Sequence, residues 1–513
     1  MYRLLSCSKD TYICDKIIAG SRSVDANVGH AGTLDLYKLY NETILSGISG
    51  SIVEISRLLL KFDYSQLTEN IVSDSSFTAS ISLKDVYGGQ ITPSNFILSV
   101  YPLSKSFDEG RGFDVVSYRD LDTANFLSAS TTTTWSISGA GAEGAMDDTD
   151  IDIMTVGNLG SGMQSFGSHM TFNRGDEDGL FNVTALVSAS IAGILPNYGF
   201  RISYTGSQEQ DTTTRFVKRF GSRHTFDKSL RPKLIVEYND KVSDTSGYPY
   251  FSVSQSFFTY NQLADNYRNF YSGSTELTGD DCLLLQLISS KSISYTTSSW
   301  QPNFSASINH LTTSVLYYSQ SFSASQYNSQ EGIYACDFIL DPVGNSELET
   351  FISTSSEIGF DIRWRSLDET VVFAKDFVIF KKLSGIFVNS QEKNYVVNAI
   401  NLKDEYARDE NTRIKVIVQN KTMLQKDYRY PTPSQFTIIP DMRWRLLNSY
   451  NGEEIIPFST STRLSTDKEG MYFDLYIQDL DVNEVYELEF LIRNEQGKDF
   501  IVQNKGFIFK VVS

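Results

Sequence analysis

The sequence predicts an all-β chain built from several sandwich domains, with few short helices. Three observations carry this. Apolar residues recur at every second position in short runs bounded by polar turns: Phe77, Ala79, Ile81 and Leu83; Phe96, Leu98 and Val100; Leu234, Val236 and Tyr238; Ile414, Val416 and Val418; Phe473, Leu475 and Ile477; Phe507, Phe509 and Val511. A period of two sends one face of each run to a core and the other to water. The aromatics are mainly 29 Tyr and 33 Phe, which suit a pleated, half-buried surface. Helical periodicity, by contrast, is scarce. The best case is Thr184–Leu195, with Asn182 or Thr184 as its cap and Pro196 as its stop. Thr259–Phe270 is expected to hold one more turn or two.

Taken in order, the elements group into three domains, in line with a length of 513 residues. Residues 1–240 form the first, a jelly-roll-like sandwich with inserted loops that ends at Arg231–Asp240. The polar KVSDTSGYP then serves as a linker. Residues 245–395 form a second sandwich. Residues 396–513 form the third, whose size suits a seven-stranded Ig-like or fibronectin-like sandwich. The last two share an echo. Asp361-Ile-Arg-Trp-Arg-Ser-Leu367 resembles Asp441-Met-Arg-Trp-Arg-Leu-Leu447, and each is followed by an acidic turn and an apolar strand. In such a strand the Trp faces one side and its flanking Arg residues the other, so Trp364 and Trp444 are expected core anchors. The echo allows a duplicated sandwich module.

Composition narrows the function classes. With 44 Lys and Arg against 62 Asp and Glu, the net charge is −18, a poor match for wrapping nucleic acid or docking on anionic membranes. No stretch approaches the roughly 20 apolar residues that span a bilayer. Lys9, Asp10, Asp15 and Lys16 interrupt any signal-peptide core, so the chain is expected to be soluble and not exported by that route. Cys7, Cys14, Cys282 and Cys336 include no CxxC pair and are expected to be buried free thiols.

The motifs that could carry chemistry weaken on inspection. Gly139-Ala-Gly141-Ala-Glu-Gly144 matches GxGxxG, but the acidic AMDDTDIDI follows where a dinucleotide site needs a helix. A loop is expected, and residues 139–179 are expected to order on assembly. Asp148, Asp150 and Asp152 form a DxDxD run, but Ile153 and Leu159 stand where an EF-hand needs Gly and Glu. A solvated acidic turn is the reading, with a looser calcium site as its alternative. His30, His169, His224 and His310 show no metal-ligand spacing. Arg174-Gly175-Asp176 admits an adhesive reading, but turn chemistry explains it equally well. No catalytic, cofactor-binding or metal residue is assigned. Sequence cannot exclude paired carboxylates for glycoside cleavage.

Two resemblances add to this. Ile55-Ser-Arg-Leu-Leu-Leu-Lys-Phe-Asp63, Phe181-Asn-Val-Thr-Ala-Leu-Val187, Asn197–Ile202, Phe220–His224 and Arg231–Tyr238 resemble, in order, the strands of the DNRLRE-type β-sandwich related to carbohydrate-binding modules. The long stretch Asp85–Met170 departs from that pattern. The whole chain resembles virion proteins of large tailed bacteriophages, through Lys9–Ile18, Asn27–Tyr40, Ser82–Tyr118 and Ser465–Tyr476. That resemblance implies a non-enzymatic structural component of the particle. It would be associated with tail, baseplate or neck, assembled in the host cytoplasm, and partnered by other virion proteins and copies of itself. Neither nucleic acid, membrane insertion nor a cofactor is implied. A fibre-like or surface protein that binds host glycan is the alternative, and a polysaccharide-degrading enzyme the second.

Overall fold

The structure, a computed structural model, describes residues 1–18, 21–41, 51–72, 75–86, 89, 91–113, 123–160, 162–263, 266–301, 306–353, 357–382, 395–420, 437–493, 499–502 and 506–513. Of the stretches that carry the phage resemblance, residues 87, 88, 90 and 114–118 lie outside these. The chain is built almost entirely from β-strands in several sheets. It is a multi-domain set of β-sandwiches, as the alternating runs predict.

The first strand, Tyr2–Ile18, belongs to two sheets. Its start pairs with Lys233–Glu237, which continues to Thr78–Leu83 and Gly179–Asn182. From Cys7 onward it pairs with Ile55–Phe62 in the other sheet, with a register shift between Cys7 and Lys9. A bulge of this kind turns a strand from one layer to the next. The second sheet runs through Phe200–Tyr204 and Phe96–Pro102 to Ser168–Phe172, while Thr33–Asn41 and Arg215–Gly221 extend its other flank. Leu58, Leu60, Ile81, Leu83, Leu98 and Phe220 fill the space between the layers.

Both helical expectations need correction. The helix expected over Thr184–Leu195 spans Thr184–Ile191, and its cap position is Val183, which makes no side-chain cap bond. Asn182 instead accepts the Thr184 N–H at 3.0 Å, and the Thr184 hydroxyl accepts the Ala79 N–H at 2.9 Å, tying the helix to a strand. The chain turns at Gly193 (φ 72°) before Pro196 is reached. Among its described residues Thr259–Phe270 holds no helix. Ser254–Tyr260 pairs with Ile333–Ile339, and Gln262–Leu263 pairs with Asn266–Tyr267. Gln255, Phe257 and Thr259 are buried in alternation, so the two-residue period prevails over the helical one.

The middle strands form one continuous ladder: Ser254–Tyr260, Ile333–Ile339, Ala306–Gln326, Leu283–Gln301, Glu357–Arg365 and Val372–Lys381. The ladder folds over on itself. Phe257 and Phe338 from one half meet Phe380 from the other, with ring centroids 6.0 and 6.4 Å apart. The C-terminal strands form two facing sheets. One holds Tyr395–Ala399, Asn411–Asn420, Gly470–Tyr476 and Ser465–Asp467; the other holds Glu405–Ala407, Ile508–Val512, Val485–Arg493, Met442–Asn448 and Glu454–Ile456. Trp364 and Trp444 are each 3% exposed, while Arg363, Arg365, Arg443 and Arg445 lie at intermediate burial on the opposite faces. Both Trp strands enter a hairpin, to Val372–Lys381 and to Glu454–Ile456 respectively.

Contacts cross between these groups. Tyr2 and Leu4 sit in the core of the C-terminal sandwich. Ser243 bridges to Thr466, and Lys468 pairs with Asp376. Residues 139–179 are not one long loop. They include a small sheet of Glu143–Ala145, Ile153–Asn158 and Met163–Ser165, followed by Ser168–Phe172 on the main sheet.

Candidate functional site

Two features present themselves for recognition. One is a long ribbon. Leu283–Gln301 and Ala306–Gln326 pair in unbroken register from Leu283 opposite Ala324 to Gln301 opposite Ala306. Other strands reach only the base: Asp361–Arg365 pairs with Leu284–Ile288, and Ala335 and Tyr334 pair with Ser325 and Gln326. Among the described residues no other strand joins Ser289–Gln301 or Ala306–Ala324. Leu316 and Tyr318 still pack on the middle core, and beyond Lys291 and Leu316, at about 3.3 Å per residue, the ribbon is roughly 30 Å long. A two-stranded ribbon is marginal on its own in water, and both its edges offer unpaired N–H and C=O groups. At its root, Val315 and Tyr317 are 64% and 66% exposed. Phe377 and Ile379 on the terminal strand of the ladder are also exposed.

The second feature is a cleft of about 580 Å³ where the three sandwiches meet. Tyr238, Tyr260, Tyr267, Tyr472, Tyr476 and Arg413 contribute to its walls. Arg413 donates from Nε and Nη2 to the Asp474 carboxylate at 2.8 and 3.0 Å and lies 4.1 Å from the Tyr472 ring centre. Burial would lower the Arg413 pKa, but the Asp474 bond and charge raise it above the ordinary arginine value. Asp240 accepts from the terminal amine of Met1 at 2.5 Å. Burial raises the Asp240 pKa, and that amine opposes the shift. Tyrosine rings beside fixed donors and acceptors suit a polyhydroxylated or peptide-like ligand.

Most motifs singled out in the sequence have local structural roles. Gly139 (φ 80°) and Ala140 present their carbonyls to Arg57 and Arg201 at 2.7 and 2.8 Å. A phosphate would find oxygens there in place of N–H groups. In the acidic run Asp148 and Asp150 are exposed, as a solvated turn requires, but Asp152 is not. Asp152 is fully buried and accepts N–H bonds from Ser136, Ile137 and Ala142 at 2.8, 3.0 and 3.0 Å, plus Lys105 Nζ at 2.9 Å. Burial raises its pKa, but those bonds outweigh burial and hold it below the usual carboxylate value. Asp148 caps the Ala145 N–H at 2.7 Å. In the Arg174–Asp176 turn, Glu177 accepts the N–H groups of Asn173, Arg174 and Gly175. All four cysteines are buried and unbridged.

The histidines are not equivalent. His169 Nδ1 lies 2.8 Å from Ser99 Oγ, but Ser99 is 2% exposed and faces no open surface. His310 stands opposite Thr297 in the ribbon. His30 and His224 come together, with ring centroids 4.4 Å apart, and Glu109 joins them. Local spacing could not show this, because the three lie on separate segments that only the sheets bring together.

No protein-family model matches the chain, and no curated protein does. Solved structures similar to parts of it include the fibronectin(III)-like modules of Clostridium thermocellum CbhA, at 7% identity and TM-score 0.14, covering 53% of this chain and 90% of that one. Tandem Ig repeats of Dlar match at 9% identity and TM-score 0.14, covering 54% and 94%. The native conformation of E. coli alpha-2-macroglobulin matches at 9% identity and TM-score 0.14, covering 98% of this chain and 35% of that one. Scores this low carry no functional argument, and the fold description rests on the sheets themselves.

Proposed function

We propose that this chain is a non-enzymatic structural component of a tailed-phage particle, associated with tail, baseplate or neck, that works through protein–protein interfaces in a symmetric assembly. The phage setting rests on the sequence stretches quoted above. The interface reading rests on one observation: among the described residues the ribbon of Leu283–Gln301 and Ala306–Gln326 has unpaired edges along most of its length. A strand from a neighbouring subunit would complete those edges by main-chain hydrogen bonding. Burial of Val315, Tyr317, Phe377 and Ile379 would add apolar area to such an interface.

The test is a shortened ribbon. Lys291 and Leu316 are paired in register, so an Asn-Gly turn joining them removes the outer ribbon and leaves its base intact. The full chain is expected in DNA-free particle fractions at several copies, and the shortened chain is expected to fold but to be missing from them. Absence of the full chain from purified virions, or normal incorporation of the shortened chain, overturns the proposal.

The glycan-binding reading has its own support in the tyrosine-lined cleft. A glycan array with the full chain and with Tyr260→Ala separates it from the first. Saturable binding that Tyr260→Ala weakens favours it, and silence across host glycans removes it.

A further inference from the structure

We propose that His30, Glu109 and His224 form a binding site for a zinc-type divalent transition-metal ion. The metal-ligating atoms of these three side chains all lie within 4.8 Å of one another. Glu109 Oε1 and His224 Nε2 are 3.5 Å apart. Two ligands on a tetrahedral zinc, each about 2.0–2.1 Å from the ion, stand roughly 3.3 Å from each other, so the cluster needs only a small closure. His224 Nε2 is buried and, beyond that 3.5 Å approach to Glu109, makes no hydrogen bond among the described residues. A buried polar atom without a partner needs an explanation, and a metal supplies one.

The segments that carry the ligands are braced independently of any ion. Asn27, fully buried, donates from Nδ2 to the carbonyls of Glu109 and Ala124, both at 2.8 Å. Its Oδ1 accepts the N–H groups of Gly29 and Gly112 at 3.1 and 3.0 Å. The His30 N–H donates to the Gly112 carbonyl at 2.8 Å. Together these fix the turn that bears His30 against the strap that bears Glu109. Gly29 is required there, since a Cβ would stand 2.0 Å from the Glu109 carbonyl oxygen. On the third segment, Ser222 Oγ donates to the Ala31 carbonyl at 2.5 Å and accepts the His224 N–H at 3.1 Å. A metal site needs ligands held in this way by their second shell.

The charges agree. Glu109 accepts from Arg223 Nε and Nη2, both at 2.5 Å, and its Oε1 also accepts the Asp10 N–H at 2.9 Å. These bonds orient the carboxylate, and a metal ion would displace Arg223 Nε from Oε1 while leaving Nη2 on Oε2. Asp10 lies directly behind, 1% exposed, with one oxygen on the Arg223 N–H at 2.6 Å and the other without a partner. Three protein ligands leave a fourth position to water. No thiolate takes part, so intermediate N/O chemistry of the zinc type fits better than a soft cation.

The experiment uses the full chain, stripped with chelator and titrated with Zn²⁺ and, separately, Co²⁺. One equivalent is expected to bind, with the visible absorption of low-coordinate Co²⁺, and Zn²⁺ is expected to raise the melting temperature where Mg²⁺ does not. His30→Ala and His224→Ala are each expected to weaken binding by about tenfold or more. His224→Asn, with far-UV circular dichroism, guards against loss through misfolding and is expected to weaken binding in a folded protein. Absence of stoichiometric binding overturns the proposal. So does binding that survives unchanged in folded His30→Ala/His224→Asn, which would leave the cluster as an ion-pair knot only.

Discussion

Arg3 and Asp479 join the first strand of the chain to the far end of the C-terminal sandwich. Arg3 Nε lies 2.5 Å from Asp479 Oδ2, and Nη2 lies 3.1 Å from Oδ1, with both side chains under a tenth exposed. Asp479 also accepts the Leu4 N–H at 3.2 Å, and the Arg3 guanidinium stacks 3.8 Å from the Tyr476 ring centre. Because Tyr2 and Leu4 fill the same core, the N-terminal strand locks two sandwiches together. Removing one partner leaves a buried charge, so Arg3→Ala or Asp479→Ala is expected to cost about 3–5 kcal/mol. Arg3→Met with Asp479→Leu is expected to recover most of that. Urea unfolding of the three variants checks both statements.

Asp10 gives a pH signature. Burial, chiefly, pushes its pKa up to about 7, against the Arg223 N–H bond that lowers it. In the unfolded chain the same group titrates near 4. Between those values the folded state holds a proton that the unfolded state has released. Its contribution to stability is therefore full below about pH 4 and falls as pH rises towards 7. Asp10→Asn is expected to flatten that part of the stability-versus-pH curve of the metal-free protein. Denaturation midpoints from pH 5 to 8 for both proteins measure it.

Asp152 organises the loop that the sequence shows as acidic. Asp152→Ala strands three N–H groups and a lysine at a buried site, and about 3 kcal/mol or more is expected to be lost. Asp152→Asn keeps one acceptor oxygen and is expected to lose less. Limited proteolysis between residues 139 and 160 is expected to speed up in the same order.

Trp444 stacks on Phe473 with ring centroids 4.5 Å apart in the C-terminal core. Trp444→Ala is expected to destabilise that sandwich by about 3–5 kcal/mol, and Trp364→Ala the middle one by a similar amount. Separate unfolding transitions in calorimetry would assign each loss to its sandwich.

Strand identity was legible where it is written locally. Phe77 to Leu83, Ile414 to Val418 and the two Arg-Trp-Arg segments alternate, and the sheets bury the faces that alternation marks. The same rule corrects the helical expectation at Thr259–Phe270, where alternate burial of Gln255, Phe257 and Thr259 decides the matter. The candidate sites were not legible. A ribbon strand and a core strand share one alternating pattern, and pairing partners alone distinguish them.

By itself the sequence determined that this chain is β-structured, that Trp364 and Trp444 anchor cores, and that its thiols are buried, because a side chain's neighbours one and two residues away set strand periodicity. Only the tertiary structure decided that Leu283–Gln301 and Ala306–Gln326 pair as a ribbon, that Arg3 meets Asp479, and that His30, Glu109 and His224 converge. Those contacts join segments far apart in the chain, and their geometry is set by sheet register and strand crossover, which no local pattern of residues encodes.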